Sequence, residues 1–235
     1  TDAAGVQSNS SSFNVQISAN GRYVVFDSYA SNLVAGDSNG YLDIFVKDLQ
    51  SGAIQRVSTD AAGGQGNSSS LNARFSADGR YVLFESYASN LVAGDSNGQL
   101  DIFVKDLQSG AIQRVSSDAG GVQGNGQSQS AQFSADGRSV LFESYASNLV
   151  AGDSNSYGDI FVKDLQSGAI QRVSTDAAGA ESNGYSDQPR FSADGRHVVF
   201  QSYASNLVAG DSNGTGDVFV KDLQSGAIQR VSTDA

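Results

Sequence analysis

Apolar residues run along this chain in short alternating or continuous stretches, and Gly, Ser, Asn or Asp closes each one. Residues 59–116 show the pattern well: "LNARFS" (71–76), "YVLFES" (81–86), "DIFVKDL" (101–107) and "AIQRVS" (111–116). Short runs rich in β-branched and aromatic residues between turn formers predict four strands. Asp78-Gly79 and "QSG" (108–110) are short connections of the kind that join antiparallel neighbours. The middle strands, with Val82-Leu83-Phe84 and Ile102-Phe103-Val104, are continuously apolar, as in strands covered on both faces. The fourth carries Gln113 and Arg114 and reads as an outer edge. No window has the 3.6-residue spacing of a helix.

This pattern recurs four times at a constant interval of 58 residues, giving units 1–58, 59–116, 117–174 and 175–232 and a tail 233–235, with no linker between them. The first two units agree at 48 of 58 positions, and 38 positions are the same in all four, which points to recent amplification or deliberate design. An antiparallel four-stranded sheet with two apolar faces cannot stand alone, and stacking copies around an axis buries both faces. The expected fold is therefore all-β: a single β-propeller domain over 1–235, built from four near-identical four-stranded antiparallel blades. Its core should be Phe26, Phe84, Phe142 and Phe200 on the second strands and Phe45, Phe103, Phe161 and Phe219 on the third, buried between neighbouring blades.

"FSADGRYVLFES" followed by "DIFVKDLQSGAIQRVS" resembles the WD40-like PD40 repeat of TolB-like propellers, in all four units. That resemblance implies the propeller fold, and the family includes both binding platforms and enzyme appendages. Two features depart from its pattern. Ala19, Ala77, Ala135 and Ala193 stand where the Ser-Pro-Asp-Gly turn has Pro, and a long "SYASNLVAGDSNGYL" connection joins strands two and three.

The positions that differ between copies show where function is to be sought. Twenty positions vary; twelve lie in the first seventeen residues of the unit and four more at 40, 41, 42 and 44 and their equivalents. In a meander, the link between blades and the second-to-third loop emerge at the same end of the sheet, so one face of the disc varies while the other stays nearly constant. The varied face carries Tyr41, Gln99, Tyr157 and Thr215 at one slot, and Ser11, Ser69, Gln127 and Tyr185 at another. Variable loops on a rigid scaffold are where ligands are met, although neutral drift would also leave loops variable.

The net charge of −11 repels phosphate backbones and anionic lipid, so neither nucleic acid nor membrane surfaces are expected partners. No apolar run approaches a membrane span, and the opening at Thr1 reads as that of a processed or excised piece. The absence of Cys removes thiol chemistry. "DSNGYLD" and its copies place oxygens at Asp37, Asn39, Asp43, Asp95, Asn97, Asp101, Asp153, Asn155, Asp159, Asp211, Asn213 and Asp217. Calcium takes such a set of carboxylates and amides, but the same residues also build Asx turns that cap local amides. His197 is the sole histidine, and its slot holds Tyr23, Tyr81 and Ser139 elsewhere, so no repeated catalytic or metal site is built on it.

The expected protein is not an enzyme. It is a scaffold or binding module presenting one variable face to carbohydrate or peptide, with calcium as a stabiliser; a purely structural or designed symmetric propeller without ligand, and an accessory propeller of a hydrolase, are the alternatives. Secreted or periplasmic bacterial placement is expected. The ring should close within one chain, as a monomeric four-bladed ring, with a homodimer completing eight blades as the alternative.

Overall fold

Turn chemistry and strand alternation produce the predicted blades. The computed structural model describes residues 1–233, so Asp234 and Ala235 of the expected tail lie outside the described residues. The chain divides into two units, Thr1–Val115 and the residues from Ser116 onward. The protein is an all-β propeller of four blades, two in each unit.

In the first unit, blade 1 comprises β1 (Ser12–Ile17), β2 (Tyr23–Ser28), β3 (Asp43–Asp48) and β4 (Ile54–Arg56), and blade 2 comprises β5 (Ser70–Phe75), β6 (Tyr81–Ser86), β7 (Asp101–Asp106) and β8 (Ile112–Arg114). In the second, blade 3 holds β9 (Ser128–Phe133), β10 (Ser139–Ser144), β11 (Asp159–Asp164) and β12 (Ile170–Arg172), and blade 4 holds β13 (Ser186–Phe191), β14 (His197–Ser202), β15 (Asp217–Asp222) and β16 (Ile228–Arg230). Each sheet is an antiparallel meander in sequence order. The outer strand is three residues long, shorter than its "AIQRVS" pattern predicts, although the apolar residue that follows it stays bonded to the third strand: Val57 N donates to Ile44 O at 2.7 Å, and Val173 N to Ile160 O at 2.7 Å.

The core forms between consecutive blades. In the first unit, Val25, Ile44, Val46 and Val57 of blade 1 pack on Ala73, Phe75, Val82, Phe84 and Leu91 of blade 2. In the second, Leu141, Ile160, Val162 and Val173 of blade 3 pack on Val198, Phe200, Leu207 and Phe219 of blade 4. The paired phenylalanines of strands two and three stack within every blade, with ring centroids 5.8 to 6.0 Å apart. All of the expected core rings are fully buried except Phe26, which is half-buried because nothing in its unit packs on that side of blade 1.

The constant face is held by local polar geometry. Gly21 and Gly79 take φ values of 71° and 72°, which lets the first hairpin close with Gly21 N on Ser18 O and Gly79 N on Ser76 O. Each blade then ties its two hairpins together with one ion pair: Arg22–Asp48 at 2.7 Å, Arg80–Asp106 at 2.7 Å, Arg138–Asp164 at 2.7 Å and Arg196–Asp222 at 2.6 Å. Hydrogen bonds from Arg22, Arg80 and Arg196 hold Asp48, Asp106 and Asp222 well below the usual carboxylate range. Among the described residues no helix is long and apolar enough to cross a membrane.

The varied face as candidate binding site

Three loops meet on the varied face, and backbone bonds fix their order. In the first unit Tyr87 N donates to Ser69 O at 3.0 Å, and Ser70 N donates to Leu42 O of the preceding blade at 2.7 Å. In the second unit Tyr203 N donates to Tyr185 O at 2.9 Å, and Ser186 N to Gly158 O at 2.9 Å. The slot that holds Ser69 and Tyr185 and the slot that holds Leu42 and Gly158 are thus drawn beside the residue that follows "DS", "ES" or "QS" at the end of the second strand. That residue is Tyr29, Tyr87, Tyr145 or Tyr203. Its ring is 40 to 54% exposed in all four blades. Sequence reasoning passed over these tyrosines because they do not vary; the signal that identifies them is an invariant, large aromatic ring left in water by a fold that buries its other invariant rings.

The two units fill this corner in opposite ways. In the first, the large residue is Leu42 and the small one is Ser69, with Leu42 N 3.5 Å from Ser69 Oγ. In the second, the large residue is Tyr185 and the small one is Gly158, where an added Cβ would fall 2.6 Å from the Tyr185 ring and 3.2 Å from the Tyr145 ring. Removing the side chain at 158 lets Tyr185 lie flat on Tyr145, with centroids 5.9 Å apart and planes inclined by 23°.

Beneath this stack lies a polar chain. Tyr185 Oη donates to Glu143 Oε1 at 2.7 Å, Gln129 Nε2 donates to the same oxygen at 3.2 Å, and Gln127 Nε2 donates to Gln129 Oε1 at 2.8 Å. Burial raises the Glu143 carboxyl above its ordinary value, against the pull of the Tyr185 and Gln129 hydrogen bonds, and burial beside this carboxylate raises the Tyr185 hydroxyl well above its own. The second unit therefore presents an aromatic platform with amide and carboxylate groups at its edge. Of the residues singled out in sequence, Gln127 and Tyr185 belong to it. Tyr157 is exposed on the loop leading into Gly158, and Thr215 is exposed on the corresponding loop of blade 4. Tyr41, Gln99 and Ser11 are exposed on the first unit's loops, and Ser69 is half-buried there.

The "DSNGYLD" residues converge on the outer strand's arginine. In the first unit Arg56 Nη1 lies 3.4 Å from Asp37 and 3.7 Å from Asp43, and Gln65 Nε2 of the next blade donates to Asp37 at 2.8 Å and to Asp43 at 3.2 Å. Asn39 accepts from Tyr41 N at 2.9 Å and turns its NH2 toward Asp43 and Gly66 O, which is the Asx-turn arrangement. Asn155 accepts from Tyr157 N and donates to Ser182 O, and Asn213 accepts from Thr215 N and donates to Asp217. Asn97 likewise accepts from Gln99 N and donates to Asp101. The aspartate–asparagine–aspartate sets thus share a corner, but each amide oxygen is spent on a local backbone amide, leaving the NH2 as the group turned into the corner.

Blade 4 alters one member of this corner. Glu181 stands where Gln65 stands in blade 2, so Asp153, Asp159 and Glu181 bring three carboxylates within 4.8 Å of one another. Arg172 Nη1 lies between them, 2.5 Å from Glu181, 3.2 Å from Asp159 and 3.5 Å from Asp153. Burial, the Asp159 charge and the Glu181 charge push the Asp153 carboxyl up to about 6. Burial opposes ionisation of Glu181, but the Ser154 amide and hydroxyl and Arg172 outweigh it and hold that carboxyl below its ordinary value. Asp95 and Asp101 keep the same loop positions in blade 2, and Asp211 and Asp217 keep them in blade 4, beside Arg230 at 3.1 and 3.3 Å.

The fold is that of β-propellers of known structure. The chain is similar to a TolB structure from Agrobacterium tumefaciens (18% identity, 92% of this chain and 63% of that one, TM-score 0.54). It is also similar to an oligogalacturonate lyase in complex with manganese (13% identity, 96% and 54%, TM-score 0.60). A third likeness is to the β-propeller domain of the Trilobed protease from Pyrococcus furiosus (12% identity, 96% and 58%, TM-score 0.59). The chain spans little more than half the length of these structures. No family profile and no curated relative matches it.

Proposed function

We propose that this chain is a non-catalytic binding module of the PD40 type whose varied face takes a carbohydrate. The observation that carries this reading is the Tyr145–Tyr185 platform with Glu143, Gln129 and Gln127 along its edge. A pyranose offers an apolar face that stacks on an aromatic ring and hydroxyls that pair with amide and carboxylate groups, and this corner supplies both kinds of partner. Sites of this sort bind neutral, polyhydroxylated ligands, in keeping with a net charge of −11 that disfavours polyanions. A peptide is the second ligand class the same groups accept. A module for polysaccharide or peptide goes with secreted or periplasmic placement.

Calcium enters this reading as a stabiliser of one corner. Asp153, Asp159 and Glu181 support it there, although Arg172 already supplies a positive charge. The enzymatic alternative, an accessory propeller of a hydrolase, draws its support only from fold likeness to structures that include a lyase and a protease domain.

The test is glycan- and peptide-array binding followed by calorimetry, on the native chain and on the double variant Gly158→Leu/Tyr185→Ser. That variant installs in the second unit the Leu and Ser that the first unit already uses, so it keeps a packed corner while removing the platform. Saccharide binding that the double variant abolishes is the expected result. Binding that survives it, or the absence of any array hit, refutes the platform and favours the ligand-free scaffold.

A further inference from the structure

One face of blade 1 and one face of blade 4 expose residues whose counterparts are buried or half-buried at the blade interfaces described above. On the incoming side of blade 1, Val15 is 72% and Ile17 56% exposed, whereas their counterparts Ala73 and Phe75 in blade 2 are 4% and 8% exposed. On the outgoing side of blade 4, Val218 is 37% and Val231 46% exposed, whereas Ile44 and Val57 of blade 1 and Ile160 and Val173 of blade 3 are at most 1% exposed. Paired patches of this kind on a soluble protein mark interaction surfaces.

We propose that a second copy of this chain covers both faces. The outgoing face of blade 4 in each copy packs on the incoming face of blade 1 in the other, so that each chain covers both open faces of its partner. The occupant follows from the faces themselves, which are the two halves of an interface the chain already makes from blade 1 to blade 2 and from blade 3 to blade 4. Val231 repeats Val57 and Val173, Val218 replaces Ile44 and Ile160, and Ile17 replaces Phe75 and Phe191, all within the same apolar class.

The polar groups repeat as well. Gln65 of blade 2 reaches back to Asp37 of blade 1; the matching acceptor on blade 4 is Asp211, whose Oδ2 is buried without a hydrogen-bond partner. The matching donor is Gln7, which is exposed on blade 1. A buried carboxylate oxygen left unpaired is costly, and Gln7 of a second copy supplies the missing donor. Ser12 N and Gly216 O likewise correspond to the Ser70 N–Leu42 O and Ser186 N–Gly158 O bonds that stitch adjacent blades together. One contact is not repeated: Gln16 accepts from Phe75 N at 2.8 Å and Gln132 from Phe191 N at 3.4 Å, but the same slot on blade 4 is Arg190.

A head-to-tail contact of unlike faces closes into a ring or runs on as a fibre, and it has a signature in mixing experiments that a like-with-like contact lacks. Light scattering and sedimentation of the native 24.3 kDa chain across micromolar concentrations should give a species of twice that mass. Ile17→Asp and Val231→Asp each place a carboxylate on an already exposed position, so each chain should keep its β-sheet circular dichroism and sediment as a monomer. Mixed one to one, they should recover a dimer, because the intact outgoing face of the first fits the intact incoming face of the second. A monomeric native chain overturns the proposal. So does an open ladder of larger species, a dimer unaffected by either substitution, or a mixture that stays monomeric.

Discussion

Gly158→Leu tests the reading of the varied face most directly, because its cost depends on a contact between two blades. A Cβ at 158 falls 2.6 and 2.9 Å from Tyr185 ring atoms, closer than carbon atoms approach, so the ring or the loop must move. If the ring stays, overpacking costs about 1 to 3 kcal/mol. If it swings away, the stack on Tyr145 is lost, about 0.5 to 1.5 kcal/mol. The hydrogen bond to the Glu143 carboxylate goes with it, a further ~1.5 to 3 kcal/mol. Between them the two routes predict a loss of roughly 1 to 4.5 kcal/mol for the single variant. Tyr185→Ser alone loses the stack and the hydrogen bond. In the double variant, the introduced leucine meets the introduced serine as Leu42 meets Ser69, so the clash disappears and the two losses should not add. Urea denaturation of the four proteins in a double-mutant cycle should give a favourable coupling of about 1 to 3 kcal/mol. Additive losses within about 0.5 kcal/mol would refute the coupling of Gly158 to Tyr185.

Phe200→Ala, in a fully buried ring stacked 6.0 Å from Phe219, should lower stability by about 3 to 5 kcal/mol, while Phe26→Ala at its half-buried counterpart should cost clearly less; equal losses at dilutions where the chain is monomeric would show that blade 1's open side is covered after all. The Asp153 corner makes a pH prediction. Its folded pKa, about 6, lies above the ordinary aspartate value, so the folded state binds the proton more tightly. Its contribution is full below about pH 4 and is lost as pH rises through about 6, so melting of this corner should shift upward on acidification across that window. Glu181→Gln, which restores the residue of blade 2, should flatten the shift in thermal melts at graded pH. The same variant examines calcium: millimolar calcium against EDTA should raise the native melting temperature and not that of Glu181→Gln, and an unchanged native melt removes the cation. At the opposite extreme, Asp48, Asp106 and Asp222, held low by their arginines, contribute stability that is present above about pH 4 and lost as pH falls further.

Much of this architecture is legible in one 58-residue unit because its determinants are local. Period-two apolar runs, Asp-Gly and Ser-Gly turns and the invariant phenylalanines each act over a few residues, and they place β6 at the predicted 81–86. The distribution of variable positions likewise locates the varied face, since a meander sends alternate connections to opposite ends. Other features depend on residues far apart along the chain or in neighbouring blades. Nothing in "SYASN" says that its tyrosine stays in water; that depends on how loops from two blades converge. The exchange of Leu42 with Ser69 for Gly158 with Tyr185 is written 27 residues apart in both cases and has meaning only once Ser186 N has bonded Gly158 O. Asn39, Asn97, Asn155 and Asn213 match a cation loop and an Asx turn equally well as letters, and only the direction of each amide separates the two. Four near-identical units also look equivalent in sequence, yet Phe26 and Phe84 have different surroundings, as do Val231 and Val57. Burial is a property of the neighbouring blade, and a repeat cannot encode within itself whether that neighbour is present.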